Sequence, residues 1–253
     1  MTRSKPSWFS HRQPRPQAEV RLFCFPYAGG GASIFRLWPQ ELPAAIDVCP
    51  VQLPGRENRI QESPYRSVEP LVEDFGERHR SWFTDLPFAF FGHSMGTLIA
   101  FELSRWLRRQ QLPAPRHLFM SAHRAPHQPL REEAIHDLPP EEFRDRLRRL
   151  NGTPEEVLQH PELMELLEPV LRADFALNET YRCAPDAALD IPMSAFGGVT
   201  DGDVTADDLE AWRQHTRGAF SSRQFPGDHF FLHGPEGANL RRLVVETLLP
   251  SSS

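Results

Sequence analysis

The chain has 253 residues, of which 40% are hydrophobic and 25% are charged, as is typical of a single folded domain. Its net charge of −6 argues against nucleic acid as a partner. No apolar run comes near the roughly 18 residues that span a bilayer, and the polar, proline-rich start lacks the apolar segment of a secretory signal. We therefore expect a cytoplasmic protein without a membrane partner. The three cysteines form no Cys-x-x-Cys motif and predict neither a disulfide framework nor a metal site.

After residues 1–18, which we expect to form a flexible tail, strand-like and helix-like segments alternate. Short apolar runs predict strands at Val20–Phe25, Ile46–Leu53, Phe88–Phe91 and His117–Ala122. Helical spacing predicts a short helix at Ile34–Trp38, a second one that follows Ser67 as its cap, and a third at Met95–Arg109. This order is typical of a mostly parallel sheet with helices on both faces.

The alternation stops after the fourth strand. Residues 123–185 have helical patterns but no convincing strand, with helices predicted at Pro140–Leu150, Pro154–Gln159 and Leu163–Tyr181. Strands and helices then resume at Ile191–Phe196, Ala206–His215, Ser222–Phe225 and Gly237–Leu249. We therefore predict an α/β core made of residues 19–122 and 186–250, interrupted by a helical insertion at 123–185.

The motif that carries most information is Gly92-His93-Ser94-Met95-Gly96, which fits G-x-S-x-G. It follows a predicted strand and opens a predicted helix, as the nucleophile elbow of the α/β-hydrolase fold requires. Glycines suit the flanking positions because side chains there would clash with the neighbouring strand and helix. The turn would place the Ser94 hydroxyl at a helix N-terminus, which favours developing negative charge. The motif predicts a serine hydrolase with Ser94 as its nucleophile.

A serine hydroxyl needs a base, and in this fold the chain order is serine, acid, histidine. His229 lies in the loop between the last predicted strand and the last predicted helix, where the base belongs, and His233 is its nearest alternative. The acid should follow the preceding strand and hold the imidazole in one tautomer. Asp201 and Asp203 both qualify by location.

The tetrahedral oxyanion of such a reaction needs two backbone N–H donors. We predict them at Met95, directly after the nucleophile, and at Ala28 in the glycine-rich loop after the first strand. That loop lacks the Lys-Ser/Thr of a phosphate-binding loop and does not fit G-x-G-x-x-G. The sequence contains no His-Glu-x-x-His motif, and we predict neither a metal nor a cofactor.

Five segments together resemble one family. They are FPYAGG (Phe25–Gly30), PGRENR (Pro54–Arg59), FGHSMG (Phe91–Gly96), the stretch Gly198–Val204 followed by Trp212, and PGDHFF (Pro226–Phe231). In this order, over about residues 20–245, the chain resembles the type II thioesterases, the stand-alone editing enzymes of polyketide and nonribosomal peptide biosynthesis.

The resemblance implies a serine thioesterase that removes acyl or aminoacyl groups from the phosphopantetheine arm of an acyl or peptidyl carrier protein. The family's residues fall on Ser94 as nucleophile, Asp201 as acid, His229 as base, and Ala28 and Met95 as oxyanion donors. Residues 123–185 correspond to the family's lid, which shapes the acyl chamber. The Gly202-Asp203 turn departs slightly from the family pattern and keeps Asp203 open as a rival acid.

Other functions use the same machinery. A general carboxylesterase or an acyl-CoA thioesterase would need the same triad, because esters and thioesters are cleaved alike. A terminal thioesterase domain of a synthase is a third alternative. A non-catalytic scaffold of the same fold is disfavoured by the complete set of serine, acid and histidine.

Overall fold

In the computed structural model, which describes residues 7–131, 133–150 and 152–250, six strands form one sheet. They are β1 Val20–Phe25, β2 Ile46–Pro50, β3 Phe88–His93, β4 Leu118–Ser121, β5 Met193–Gly198 and β6 Phe220–Phe225. Their order is β2-β1-β3-β4-β5-β6, and every pair is parallel. The predicted parallel sheet is confirmed, although β2 ends three residues earlier and β6 begins two residues earlier than expected.

Helices cover both faces of the sheet. They are α1 Trp38–Glu41, α2 Val68–Arg78, α3 Met95–Arg109, α4 Pro140–Leu150, α5 Glu155–Leu158, α6 Pro161–Thr180, α7 Ala206–Glu210 and α8 Gly237–Leu248. The predicted helix at Ile34–Trp38 is instead a 3₁₀ turn, Ala32–Phe35, followed by the four-residue α1. α6 begins two residues before its predicted start because proline is well tolerated in the first turn of a helix.

Two apolar layers enclose the sheet. Successive residues of a strand point to opposite faces, so Phe90 belongs to the layer that includes Phe75 of α2, and Phe91 to the layer that includes Leu240 of α8. The central strands β1 and β3 are buried along their whole length, which explains why they are continuous apolar runs rather than alternating ones.

The strand order places a crevice at the carboxyl ends of the strands, between β1 and β3. The chain passes from β1 outward to β2 and then back to β3 on the other side of β1. Where the strand order reverses in this way, the loops after the two adjacent strands diverge and leave space between them. The loop after β1 contains Ala28, and the turn after β3 contains Ser94. The topology therefore brings these two segments together, although 66 residues separate them.

Part of the segment expected to be a flexible tail packs on the core. Trp8 is 7% exposed, and its ring meets that of Phe75 edge-on at 5.3 Å. Arg12 pairs with the buried carboxylate of Asp47 at 2.7 Å. Burial of Trp8 and partial burial of Phe9 offset the entropy lost when this segment is ordered. Residues 1–6 of the expected tail lie outside the described residues.

Residues 123–185 contain α4, α5 and α6, and no strand in the part that the structure describes. These helices share a small apolar cluster of their own, formed by Ile135, Phe143, Leu147, Leu158, Met164 and Leu171. α6 also contacts α3, the helix that follows Ser94. Among the described helices, none is long and apolar enough to cross a membrane.

Candidate active site

Ser94 occupies a strained turn between β3 and α3, with φ 52° and ψ −121°. A Cβ at Gly92 would overlap the backbone of Gly96, and one at Gly96 would overlap the carbonyl of Phe25. Both flanking glycines are therefore required by the close packing of strand, turn and helix. A residue in such a conformation costs on the order of 1–3 kcal/mol and persists only where its surroundings hold it. Here the Ser94 N–H donates to the Ser121 carbonyl of β4 at 2.7 Å.

The predicted base and acid form a hydrogen bond. His229 Nδ1 lies 2.8 Å from Asp201 Oδ2, and the Asp201 side chain is only 1% exposed. Asp201 Oδ1 accepts the backbone N–H groups of Asp203 and Val204, at 2.9 and 3.3 Å. Because the carboxylate accepts from Nδ1–H, Nε2 of the neutral ring is left as an acceptor. The geometry thus places Asp201 against His229, while Asp203 is exposed.

His233, the alternative base, is hydrogen-bonded to Tyr27 rather than to Asp201. His233 Nε2 is 3.1 Å from the Tyr27 hydroxyl. Burial lowers the pKa of His233, but among the described residues no carboxylate pairs with its ring. A base without an orienting acid is poorly suited to accept a proton from serine. The geometry therefore favours His229 over His233.

Ser94, His229, Ala28 and Met95 line one cavity of about 250 Å³. Residues of the inserted helices close its other side, among them Leu147, Leu150, Leu171 and Phe175. No hydrogen bond joins Ser94 Oγ to His229 Nε2 among the described residues. Such bonds are often long in ligand-free enzymes and tighten only when substrate binds.

The two predicted oxyanion donors are available. Within the described part of the chain, neither the Ala28 N–H nor the Met95 N–H donates to a protein acceptor. Met95 is the first residue of α3, where backbone N–H groups are unpaired and the helix dipole favours an anion. Ala28 belongs to a turn closed by the Gly30 N–H on the Tyr27 carbonyl at 3.0 Å. Both residues line the same cavity, and neither N–H is engaged by an acceptor in the part of the chain that the structure describes.

His93 is a further residue of the site, and sequence reasoning missed it. It is fully buried, with Nδ1 2.9 Å from Ser121 Oγ and Nε2 2.9 Å from the His229 carbonyl. Burial lowers the pKa of His93 well below its ordinary value, so the ring is neutral and carries one N–H. Because a carbonyl can only accept, the N–H is on Nε2 and Nδ1 accepts from Ser121. The signal in the sequence that could have indicated this residue was a histidine at the end of an otherwise apolar strand.

The fold and the turn at Ser94 define the class of this protein. A parallel sheet in this order, with serine in a strained turn between strand and helix and with helices on both faces, is the α/β-hydrolase fold.

Comparison with known proteins narrows the class to a family. The family model described as "Thioesterase domain" matches residues 20–247. The chain is 48% identical over 226 residues to gramicidin S biosynthesis protein GrsT of Aneurinibacillus migulanus, covering 89% of this chain and 88% of that protein. The chain belongs to the thioesterase family and is an enzyme that hydrolyses thioesters.

Solved structures agree with this assignment. The RedJ thioesterase from the prodiginine pathway of Streptomyces coelicolor has a TM-score of 0.85 and 40% identity, covering 92% of this chain and 87% of that one. The type II thioesterase BorB from the borrelidin biosynthetic cluster has a TM-score of 0.84 and 34% identity, covering 94% of this chain and 96% of that one. The predicted family and enzyme class are confirmed.

Proposed function

We propose that this chain is a type II editing thioesterase, which removes acyl or aminoacyl groups from the phosphopantetheine arm of an acyl or peptidyl carrier protein. The observation that carries the proposal is that Ser94, in its strained turn, lines one cavity with His229, whose ring is hydrogen-bonded to Asp201. The relatives indicate the kind of biosynthetic pathway in which such an enzyme acts. One is a gramicidin S biosynthesis protein, and another is a type II thioesterase of a borrelidin biosynthetic cluster.

In the proposed mechanism, His229 Nε2 takes the proton of the Ser94 hydroxyl as Ser94 Oγ attacks the thioester carbonyl. The N–H groups of Ala28 and Met95 stabilise the oxyanion of the tetrahedral intermediate. Its collapse breaks the carbon–sulfur bond, and His229 returns the proton to the departing pantetheine sulfur, leaving an acyl ester on Ser94. Asp201 stabilises the imidazolium that forms during each proton transfer.

The second half of the reaction uses the same groups. His229 takes a proton from water as the water oxygen attacks the acyl ester, and the same two N–H groups stabilise the second oxyanion. Release of the carboxylic acid restores the Ser94 hydroxyl. No further group is required, because a thioester and water supply every atom of the products.

The inserted helices, residues 123–185, serve in this proposal as a lid that forms the acyl chamber. The support is the cavity lining, which Ser94 shares with Leu147, Leu150, Leu171 and Phe175. An apolar wall of this kind binds an acyl chain through burial of its methylene groups, at about 0.8 kcal/mol each.

The test is release of free acid from an acyl-loaded carrier protein, measured beside the matching acyl-CoA, with the wild type and Ser94→Ala. We expect faster release from the carrier and a loss of at least about 10⁴-fold in the variant. Turnover by Ser94→Ala near that of the wild type would exclude the proposed mechanism. Serine-dependent hydrolysis at equal rates on both substrates would instead identify a general acyl-CoA thioesterase.

A further inference from the structure

A buried ion pair lies behind the loop that contains Ala28. Arg56 Nη1 and Nη2 donate to Asp174 Oδ2 and Oδ1, at 2.6 and 2.8 Å. The pair also contacts the loop itself. Asp174 Oδ2 accepts the Gly29 N–H at 2.7 Å, and Arg56 Nη1 donates to the Gly30 carbonyl at 3.1 Å. Two residues of the loop are thus hydrogen-bonded to one bidentate ion pair.

The pair is shielded from water. The side chains of Arg56 and Asp174 are 4% and 2% exposed, and neither is among the described residues that line the cavity. Removing two charges from water is costly, and a buried ion pair is often no more stabilising than apolar residues of the same volume. Stability alone is therefore a weak reason for placing this pair here.

The turn that the pair contacts determines where the Ala28 N–H points. Gly29 has φ +77°, and the Gly30 N–H closes the turn on Tyr27, which is the geometry of a type II turn. Type I and type II turns differ by rotation of the peptide between the two central residues, here Ala28 and Gly29. The Asp174 carboxylate holds the N–H of that peptide and so opposes the rotation. This rotation changes ψ of Ala28 and φ of Gly29 but leaves φ of Ala28 unchanged, so the pair acts on the Ala28 N–H by fixing the position of the loop through its bonds to Gly29 and Gly30.

We propose that Arg56 and Asp174 are positioning residues, which hold the Ala28 N–H in place for the oxyanion. The inference rests on the function proposed above, in which Ala28 is an oxyanion donor. It adds that this donor is supported by α6, the helix that carries Asp174 and that also contributes Leu171 and Phe175 to the cavity wall. One helix thus contributes both to the support of the oxyanion donor and to the wall of the acyl chamber.

Asp174→Asn tests the proposal, since it keeps the size of the side chain but removes its charge. The substrate is a short-chain acyl thioester of N-acetylcysteamine, and the probe is the alkyl trifluoromethyl ketone of the same chain length, which forms a tetrahedral oxyanion adduct with a catalytic serine. We expect kcat to fall about 10-fold to 100-fold with little change in KM. The inhibition constant of the ketone should rise by a similar factor.

The matched control is Asp47→Asn. Asp47 is also a buried carboxylate, with a side chain 2% exposed, and it pairs with Arg21 and Arg12 at 3.2 and 2.7 Å. It lies near the start of β2, whereas the site lies at the carboxyl ends of the strands. Both variants should lower the melting temperature, but only Asp174→Asn should weaken binding of the ketone.

If Asp174→Asn does not fold, Arg56→Lys provides the same test, because lysine keeps the charge but cannot form the bidentate pair and the Gly30 contact together. A wild-type kcat and ketone inhibition constant in a folded variant would overturn the proposal. Ser94→Ala separates the two claims: an inactive Ser94→Ala with an unaffected Asp174→Asn leaves the proposed mechanism intact and removes only the positioning role.

Discussion

His93 joins two segments whose relative position matters for proton transfer. Its ring accepts from Ser121 on β4 and donates to the carbonyl of His229, 136 residues away along the chain. It is the last residue of β3, directly before the turn at Ser94, so it links the position of Ser94 to that of His229. A neutral histidine suits this task because it offers one donor and one acceptor in a rigid plane.

Replacing His93 with alanine should weaken both stability and catalysis. The His229 carbonyl and the Ser121 hydroxyl would each lose a buried partner, so we expect the free energy of unfolding to fall by about 2 kcal/mol or more. Displacement of the His229 loop should lower kcat/KM by about 10-fold or more. Urea unfolding and steady-state kinetics measure the two effects.

The control for this experiment is His117→Ala. His117 is another neutral histidine, bonded to Ser194 Oγ at 2.9 Å, but it directly precedes β4, at the end of the strand opposite the turn that contains Ser94. It should lose stability while kcat/KM stays within about twofold of the wild type. If His93→Ala behaved in the same way, the role of His93 would be purely structural.

At the scale of elements, α4 and α6 contribute apolar residues to the wall of the cavity that Ser94 lines. Leu147 of α4 is 2% exposed and lines the cavity. Replacing it with alanine should enlarge the chamber and raise kcat/KM for longer acyl chains relative to shorter ones, by severalfold or more, since one methylene in an apolar pocket changes binding by about 1–3 kcal/mol. Kinetics with a series of acyl thioesters of increasing length measure this shift.

Leu158→Ala is the matched control for Leu147→Ala. Leu158 lies on α5, is 4% exposed and belongs to the same apolar cluster, but it is not among the described residues that line the cavity. It should lose a similar amount of stability, about 2–5 kcal/mol, without a change in chain-length preference. An identical shift in both variants would show that general loosening of the inserted helices, rather than chamber volume, sets the preference.

The core elements were predictable because their signals are local. β1 and β3 are buried on both faces and so appear as short apolar runs followed by glycine-containing turns. β6 was less well defined because it is an edge strand, exposed over most of its length, and Phe220–Phe225 contains four polar residues. The packed segment at Trp8 was missed because its partners, among them Phe75, are remote in sequence.

The residues of the candidate site also divide into those that the sequence predicts and those that it does not. Ser94 and its flanking glycines were predictable because the strained turn imposes its residue types locally. The pair Arg56 and Asp174 could not be derived, because 118 residues separate them and no periodicity links them. Which aspartate serves as acid was likewise open from the chain order alone. The distance of 2.8 Å between His229 Nδ1 and Asp201 Oδ2 favours Asp201.

For the whole molecule, buried neutral histidines should make stability sensitive to mild acid. Burial lowers the pKa of His117, His123 and His215 to about 4, and that of His93 well below its ordinary value. In the unfolded chain the same rings have a pKa of about 6.5. Between about pH 6.5 and pH 4 the unfolded state therefore binds more protons than the folded one, so stability falls as the pH falls through this window.

Urea unfolding at pH 7, 6 and 5 checks this expectation. We expect the free energy of unfolding to decrease over this range, with about 1 kcal/mol contributed by each half-buried histidine such as His123. Burial raises the pKa of Asp208, but hydrogen bonds from the N–H and hydroxyl of Thr205 and from Arg131 lower it by more, so the contribution of this carboxylate is lost only at lower pH. His117→Gln should reduce the slope between pH 6 and pH 5, because one proton fewer is taken up on unfolding. Stability that stayed constant from pH 7 to pH 5 would mean that these rings are protonated in the folded protein as readily as in the unfolded chain.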